Sequence, residues 1–174
     1  LGARRKVNVL EVGAGNALLA YLLYRKLNLG RYDIIDLDFV IPNAFLLLSY
    51  LAPDANIILP GEEDKKKAVF RFFCPDSYPE NEADIDIGIN VTSFQEMNQK
   101  IVRDYFDLFQ KVIHQEGYIF CMNRSEKTFG NDIQRFSDYP WPDNFETLLD
   151  EDDPVSYFSG ITTRHERRLL RRYT

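Results

Sequence analysis

The sequence Val9-Leu10-Glu11-Val12-Gly13-Ala14-Gly15-Asn16-Ala17-Leu18 carries the strongest structural signal in this chain. An apolar run reaches a carboxylate, passes through a Gly-x-Gly turn and opens into a helical pattern over residues 17–27. This order predicts a strand, a tight turn and a helix N-terminus. Glycine lets the backbone approach a ligand closely, and the free N–H groups at a helix start face that ligand. A nucleotide-like cofactor is therefore the expected occupant.

The spacing within this motif separates two classes of cofactor. A dinucleotide-binding fingerprint requires a small residue three places after its second glycine, and Leu18 stands there, so the NAD pattern breaks. The pattern acidic-x-Gly-x-Gly-x-small over residues 11–17 resembles motif I of the class I S-adenosylmethionine-dependent methyltransferases. That family often has a third glycine where this chain has Ala17. The residues that the resemblance implicates in binding S-adenosylmethionine are Glu11, Gly13, Ala14, Gly15, Asn16 and Ala17.

Size and composition exclude several classes of protein. The 174 residues suffice for one domain with a real core, so residues 1–174 are expected to form a single domain. A net charge of −6 argues against nucleic acid as a partner, and no apolar run approaches the roughly 20 residues of a membrane span. No signal peptide is visible, and two isolated cysteines make no disulfide framework, so a cytoplasmic location is expected. Because the chain begins at Leu1, just before its first strand, we expect it to lack an N-terminal segment.

Strand and helix patterns alternate along most of the chain. Helices are expected over residues 17–27 and 44–51, and a long helix after Ser93. The predicted strands are Val7–Val12, Tyr32–Ile35, Val69–Cys74, Ile85–Val91 and Tyr118–Met122, with Phe145–Leu149 and Tyr157–Ile161 as closing strands. Residues 164–172 fit either a strand or a helix. Repeated βα units predict an α/β fold with a doubly wound, mostly parallel sheet and helices on both faces, as in a Rossmann-like class I methyltransferase.

Acidic residues follow two of the predicted strands. Asp36 lies 21 residues after Gly15, where a nucleotide-binding βαβ unit places the carboxylate that accepts hydrogen bonds from ribose hydroxyls. Asp38 competes for this role, and either residue could instead cap the next helix. The methyltransferase resemblance adds Leu37 beside the ribose, and Pro75 and Asp76 beside the adenine. For the last two, an ordinary turn is an equal alternative.

The segment after the fourth strand holds a candidate catalytic carboxylate. By the same resemblance, Asn90 and Val91 border the methionine end of the cofactor, and Glu96 is a candidate general base or a ligand of a sugar hydroxyl. The alternative is structural, since Ser93 and Glu96 have the spacing of a capping box at a helix start.

A wider set of segments resembles the sugar O-methyltransferase family. These segments are residues 86–97, the pair 123–124 after the fifth strand, and residues 139–141. The resemblance implies methyl transfer to a hydroxyl of a sugar or sugar-like small molecule. The residues that it implicates in acceptor binding are Ser93, Asn123, Arg124, Tyr139 and Trp141. Simple packing of Tyr139 and Trp141 over a sheet end is the alternative.

Few other residues are candidates for catalysis or ligand binding. His165 is a second candidate base, and the alternative is a surface histidine among arginines. His114 is expected to stabilise the end of the long helix. The arginines of residues 164–172 could bind an acidic ligand or pair with the acidic run 150–153. No histidine–carboxylate cluster calls for a metal. Two alternatives stay open: a methyltransferase acting on another small molecule or a protein, and a catalytically silent cofactor-binding or scaffold domain. The sequence does not indicate an oligomeric state.

Overall fold

The computed structural model describes residues 5–63, 67–79, 81, 84–129, 132–154 and 163–173. The strands are β1 Val7–Val12, β2 Leu29–Ile35, β3 Ile57–Ile58, β4 Phe70–Phe73, β5 Ile85–Val91, β6 Ile113–Arg124, β7 Glu126–Phe129, β8 Asp132–Arg135, β9 Phe145–Asp152 and β10 His165–Arg172. The α-helices in this part of the chain are α1 Leu18–Lys26, α2 Ile41–Leu51 and α3 Gln99–Val112. Short 3-10 helices span Pro75–Ser77, Phe94–Glu96 and Phe136–Asp138.

Eight of these strands form one sheet in the order β3-β4-β2-β1-β5-β6-β10-β9. The pairs from β3 through to β6 are parallel, whereas β10 runs antiparallel to both β6 and β9. From β1 the chain proceeds to β2 and β4 on one side and then returns to β5 on the other. The topological switch point therefore lies between β1 and β5, and open α/β sheets bind ligands at the carboxyl ends of strands at such points. The predicted doubly wound, mostly parallel sheet is confirmed.

Alternating side chains of the central strands build a core on each face of the sheet. Val9 joins the core under α1 and α2, while its neighbour Leu10 joins the core under α3. Both residues are fully buried, as expected for a strand covered on both faces. On α3, buried apolar side chains at helical spacing form one stripe against the sheet. This stripe comprises Val102, Tyr105, Phe106, Leu108, Phe109 and Val112.

The long helix begins later than the capping-box pattern predicts. Ser93 makes no capping hydrogen bond, and Met97 is extended before the helix starts at Gln99. The cap is Asn98, whose side chain accepts a hydrogen bond from the backbone N–H of Ile101 at 3.0 Å. The capping-box interpretation is therefore wrong, because the Ser93 hydroxyl donates instead to the carbonyl of Val12 at 2.9 Å.

The same helix also ends earlier than predicted. It stops at Val112, and β6 begins at Ile113, so His114 belongs to a strand and does not lie in the last helical turn. Its Nε2 atom lies 2.7 Å from a carboxylate oxygen of Asp86. The expected interaction of His114 with the helix end is wrong for this reason.

The C-terminal part of the chain adds two strands to the sheet, and one of them covers the segment for which the sequence allowed either a strand or a helix. Residues 165–172 form β10, and their arginines pair with the acidic strand β9. Arg168 contacts Asp150 at 2.6 Å, and Arg167 contacts Glu151. The interpretation of this basic segment as a surface paired to residues 150–153 is confirmed. The strand expected at Tyr157–Ile161 lies outside the described residues, and the hairpin of β7 and β8 was not expected.

No helix in the described part of the chain is long and apolar enough to cross a membrane.

Candidate cofactor and acceptor site

The glycine turn between β1 and α1 is built from left-handed backbone. Gly13 and Gly15 have φ values of +73° and +58°, and Ala17 has a φ of 60° at the N-cap of α1. Glycine adopts this conformation readily, whereas other residues do so at a cost. The left-handed position of Ala17 explains why a glycine at this place suits the motif. The backbone N–H of Gly13 donates to the carbonyl of Ile35 at 2.8 Å, which ties the turn to the end of β2.

Gly13 also permits a close approach between two loops. A Cβ atom built on Gly13 would lie 2.2 Å from Oγ of Ser93 and 2.4 Å from its Cβ. At Gly15, a built Cβ meets nothing within 4 Å, because that side of the turn is open. The first glycine is thus required for packing against the segment after β5, and the second faces the solvent.

Asp36 places its carboxylate against this turn. Its side chain accepts a hydrogen bond from the backbone N–H of Gly15 at 2.9 Å and another from Leu37 at 2.8 Å. Burial raises the pKa of Asp36 above its ordinary value, although these hydrogen bonds act in the opposite direction. Asp38 instead accepts a hydrogen bond from the backbone N–H of Phe39 at 2.8 Å. The N-cap of α2 is Val40, without a side-chain capping bond, so neither aspartate caps that helix.

A cleft of about 800 Å³ opens at the carboxyl ends of the strands beside Asp36. Its volume lies within the range of about 300–1,000 Å³ that is usual for small-molecule sites. Of the residues expected to contact ligands, seven line this cleft: Gly13, Asp36, Leu37, Pro75, Asp76, Ser93 and Glu96. The structure therefore brings together four segments, each after a different strand, that the sequence analysis identified separately.

Glu11 lies beneath the turn and does not line the cleft. Its side chain is almost fully buried and accepts a hydrogen bond from the hydroxyl of Tyr32 at 2.8 Å. Burial, with a smaller contribution from the charge of Asp36, raises the pKa of Glu11 to about 7. Glu11 thus supports the turn from below. The cleft lining also excludes Ala14, Gly15, Asn16 and Ala17, as well as Asn90 and Val91 of β5.

A chain of buried amides connects the glycine turn to the segment over residues 93–96. The Asn90 amide donates to the carbonyl of Val12 at 3.0 Å, and its oxygen accepts from the Asn123 amide at 2.8 Å. The Asn123 oxygen in turn accepts from the backbone N–H of Gln95 at 3.2 Å. The Gln95 side chain accepts from the backbone N–H of Arg124 at 2.8 Å. These amides are buried, so the network fixes the loop between β5 and α3.

Glu96 reaches the cleft from the end of that segment. Its carboxylate is exposed and pairs with Lys127 of β7. The hydrogen bond to Lys127 is the main cause that lowers the pKa of Glu96 below its ordinary value. A carboxylate with a lowered pKa keeps its charge and accepts hydrogen bonds well, but it is a weak base.

The remaining predicted residues lie behind the cleft. Tyr139 and Trp141 pack with Phe106 and Phe136 in an aromatic cluster, and the guanidinium of Arg168 lies 4.3 Å from the Trp141 ring. The packing alternative considered for these two residues therefore describes their position. Asn123 is fully buried in the amide network, and His165 is buried opposite Arg124, with Nδ1 3.0 Å from the carbonyl of Thr163. None of these residues lines the described cleft.

Sequence reasoning missed the wall that α3 contributes. Ile101, Asp104, Tyr105 and Leu108 line the cleft, and the sequence analysis identified none of them as a site residue. Ile101 is 40% exposed, whereas Tyr105 is 9% exposed. A hydroxyl within an otherwise apolar stripe was the signal that could have singled out Tyr105. In the described residues, no group of three or more metal-binding side chains is found.

Comparison with known proteins assigns the fold. No protein-family model matches the sequence, and a search of curated proteins found no match. Among solved structures, phosphoethanolamine N-methyltransferase 1 from Haemonchus contortus superposes with a TM-score of 0.71 at 12% identity, over 99% of this chain and 40% of that one. The chain has the fold of the S-adenosylmethionine-dependent methyltransferases.

In two further methyltransferase structures, the match covers most of both chains. A candidate sarcosine dimethylglycine methyltransferase from Galdieria sulphuraria gives a TM-score of 0.68 at 12% identity, over 97% of this chain and 79% of that one. An rRNA methylase from Streptococcus thermophilus gives 0.63 at 11% identity, over 97% and 88%. The acceptors named for these proteins differ widely, so this fold is compatible with several methyl acceptors.

Proposed function

We propose that this protein is an S-adenosylmethionine-dependent methyltransferase that acts on a hydroxyl of a sugar or sugar-like small molecule. The observation that carries the proposal is the 2.9 Å hydrogen bond from the backbone of Gly15 to Asp36 beside the cleft. It joins the glycine turn after β1 to the acidic end of β2, next to the topological switch point between β1 and β5, where open α/β sheets bind ligands. The fold shared with methyltransferases indicates the class of cofactor.

The residues of the cleft suit the parts of S-adenosylmethionine. The glycine turn leaves space for the methionine end, and the Asp36 carboxylate suits ribose hydroxyls. Asp76, which is exposed beside Pro75, suits the amino group of adenine. In this assignment the ribose hydroxyls and the backbone N–H of Gly15 donate hydrogen bonds to the same carboxylate of Asp36. The bond from Gly15 therefore weakens when the cofactor binds. When bound, the cofactor supplies a methyl group on a positively charged sulfur.

The transfer is an in-line displacement. A bond forms between the acceptor oxygen and the methyl carbon, the carbon–sulfur bond breaks, and the sulfonium becomes a neutral thioether. The acceptor hydroxyl loses its proton, and the protein mainly holds oxygen, carbon and sulfur in line. Because the pKa of Glu96 is lowered, we assign it to accept a hydrogen bond from the hydroxyl and orient it, with solvent taking the proton.

The sugar assignment rests on the sequence resemblance over residues 86–97, 123–124 and 139–141. Residues 123–124 and 139–141 do not line the cleft, so we assign them to hold the residues that do. Asn123 holds Gln95, and Gln95 precedes Glu96, so the amide network positions the carboxylate that faces the acceptor. Ser93 and Glu96 are the proposed contacts to the acceptor itself. His165, which lies behind the cleft, is proposed at most to position Arg124.

The test is a methyl-transfer screen with labelled S-adenosylmethionine. The acceptor panel contains free sugars, nucleotide sugars, peptides and phenols, and label is expected on a sugar. With that acceptor, Glu96→Gln is expected to lower kcat about 3- to 10-fold, because a neutral amide oxygen is a weaker acceptor than a carboxylate, while the affinity for S-adenosylhomocysteine stays unchanged. Glu126→Gln is the matched control, since Glu126 pairs with Arg135 on the exposed hairpin and does not line the cleft.

Each outcome of the screen decides a different part of the proposal. Label on peptides or phenols, and never on sugars, would overturn the acceptor class and leave the methyltransferase assignment standing. Cofactor binding without transfer to any member of the panel favours the catalytically silent domain. A fully active Glu96→Gln would show that the carboxylate has no role in the reaction.

A single domain and a cytoplasmic location are further parts of this proposal. Both cysteines are free thiols, one buried and one partly buried, which fits a reducing compartment.

A further inference from the structure

Tyr105 presents an unused hydroxyl in the wall of the cleft. The side chain belongs to α3, and its ring stacks on Phe94 with 5.9 Å between the ring centroids. The residue is 9% exposed and lines the cleft. Among the described residues its hydroxyl has no hydrogen-bond partner. The hydroxyl oxygen itself is accessible, so a ligand in the cleft can complete its hydrogen bonding.

The surroundings of this hydroxyl are acidic. Burial raises the pKa of Tyr105 to about 12, and the negative charges of Asp36 and Asp76 contribute to the same shift. Asp36, Asp76 and Tyr105 all line the same cleft. With this raised pKa, the phenol stays protonated at neutral pH and keeps its hydrogen as a donor.

Tyr105 complements the two aspartates in chemistry. Ionised carboxylates only accept hydrogen bonds, so Asp36 and Asp76 suit the hydroxyls and amino group of a nucleoside. The ring nitrogens of a purine are acceptors and need a donor. The other two hydroxyls in the lining are already engaged, since Ser93 donates to Val12 at 2.9 Å and Tyr78 donates to Asp33 at 3.0 Å.

We propose that the Tyr105 hydroxyl donates a hydrogen bond to a ring nitrogen of the adenine and so helps to select the cofactor. The inference rests on the proposed function, in which S-adenosylmethionine occupies this cleft. Tyr105 is assigned to the nucleoside end because it shares the cleft with Asp36 and Asp76, which follow β2 and β4 and which the proposed function assigns to the ribose and the adenine. Stacking on Phe94 holds the ring in place, so the hydroxyl is preorganised for this contact.

The experiment compares Tyr105→Phe with the wild type in calorimetric titrations with S-adenosylhomocysteine. Loss of a single hydrogen bond is expected to raise Kd about 3- to 10-fold. Three analogues, each with one adenine ring nitrogen replaced by C–H, then identify the contact. For wild type, one analogue is expected to have a Kd that is higher than the Kd of S-adenosylhomocysteine by the same factor. For Tyr105→Phe, the Kd of that analogue is expected to equal the Kd of S-adenosylhomocysteine.

Tyr24→Phe is the matched control. Tyr24 also packs against a phenylalanine, Phe70, at 5.4 Å, but it lies on the opposite face of the sheet and outside the cleft. It is expected to bind every ligand as the wild type does. The Tm of Tyr105→Phe should stay close to that of wild type, because the ring and its stacking are kept.

The outcomes separate the inference from the function on which it rests. If wild type and Tyr105→Phe bind S-adenosylhomocysteine equally, the inference is overturned and the proposed function stands. The same holds if Tyr105→Phe changes only the KM of the methyl acceptor. If wild type does not bind S-adenosylhomocysteine at all, both are overturned.

Discussion

The packing of Gly13 against Ser93 yields a quantitative prediction for two glycines of one turn. Gly13→Ala and Gly15→Ala both force alanine into left-handed backbone, at φ values of +73° and +58°, which costs about 1–2 kcal/mol each. Only at Gly13 does the new methyl group collide, because Ser93 atoms lie 2.2 Å and 2.4 Å from it. Overpacking of this kind costs about 1–3 kcal/mol more. The free energy of unfolding should therefore fall by about 2–5 kcal/mol in Gly13→Ala and by about 1–2 kcal/mol in Gly15→Ala.

Urea denaturation of the two variants measures this difference, and a double variant identifies its cause. Ser93→Gly removes both colliding atoms, so adding it to Gly13→Ala should recover about 1–3 kcal/mol relative to the sum of the single changes. Ser93→Gly combined with Gly15→Ala should be additive. Equal destabilisation of the two alanine variants, or no recovery with Ser93→Gly, would refute the close approach of these two loops.

Three further changes test other parts of the structure. The free energy of unfolding of wild type should fall as the pH rises from about 4.5 to about 7, because the folded-state pKa of Glu11 is raised and the folded protein holds the proton longer. Urea denaturation at several pH values in this range should show that the free energy of unfolding falls less in Glu11→Gln than in wild type. Asp33→Asn should cost about 3–5 kcal/mol in thermal unfolding, because the buried Asp33 carboxylate accepts two hydrogen bonds from Arg71 at 2.7 Å and 2.8 Å. Asp36→Ala should weaken the binding of S-adenosylhomocysteine by roughly 1–3 kcal/mol in calorimetry, and Asp38→Ala should not.

The central sheet was predictable because its strands are apolar on both faces. The bounds of β1 and β5 agree with the sequence, and the glycines and acidic residues at the strand ends follow from the same runs. The basic segment over residues 164–172 was ambiguous, since an exposed helix and an edge region of a sheet both tolerate charged side chains. Pairing with the acidic residues of β9 resolves that segment as a strand. This information is non-local, so a local pattern could not supply it.

The beginning of α3 shows why local patterns fail near a site. Ser93 and Glu96 satisfy the spacing of a capping box, but each side chain has a stronger partner elsewhere in the fold. Ser93 bonds to the end of β1, and Glu96 pairs with Lys127 of β7. Tyr105 was not identified as a site residue for a similar reason. Helical periodicity identifies the buried stripe, but it does not show that the stripe also faces a cleft at one end.

Calorimetric titration of the wild-type protein with S-adenosylhomocysteine and, separately, with NAD⁺ tests the central claim most directly. The glycine turn, Asp36 and the adjoining cleft predict saturable binding of S-adenosylhomocysteine that is weakened in Asp36→Ala, and no binding of NAD⁺. Tight binding of NAD⁺ together with no heat from S-adenosylhomocysteine would contradict the account.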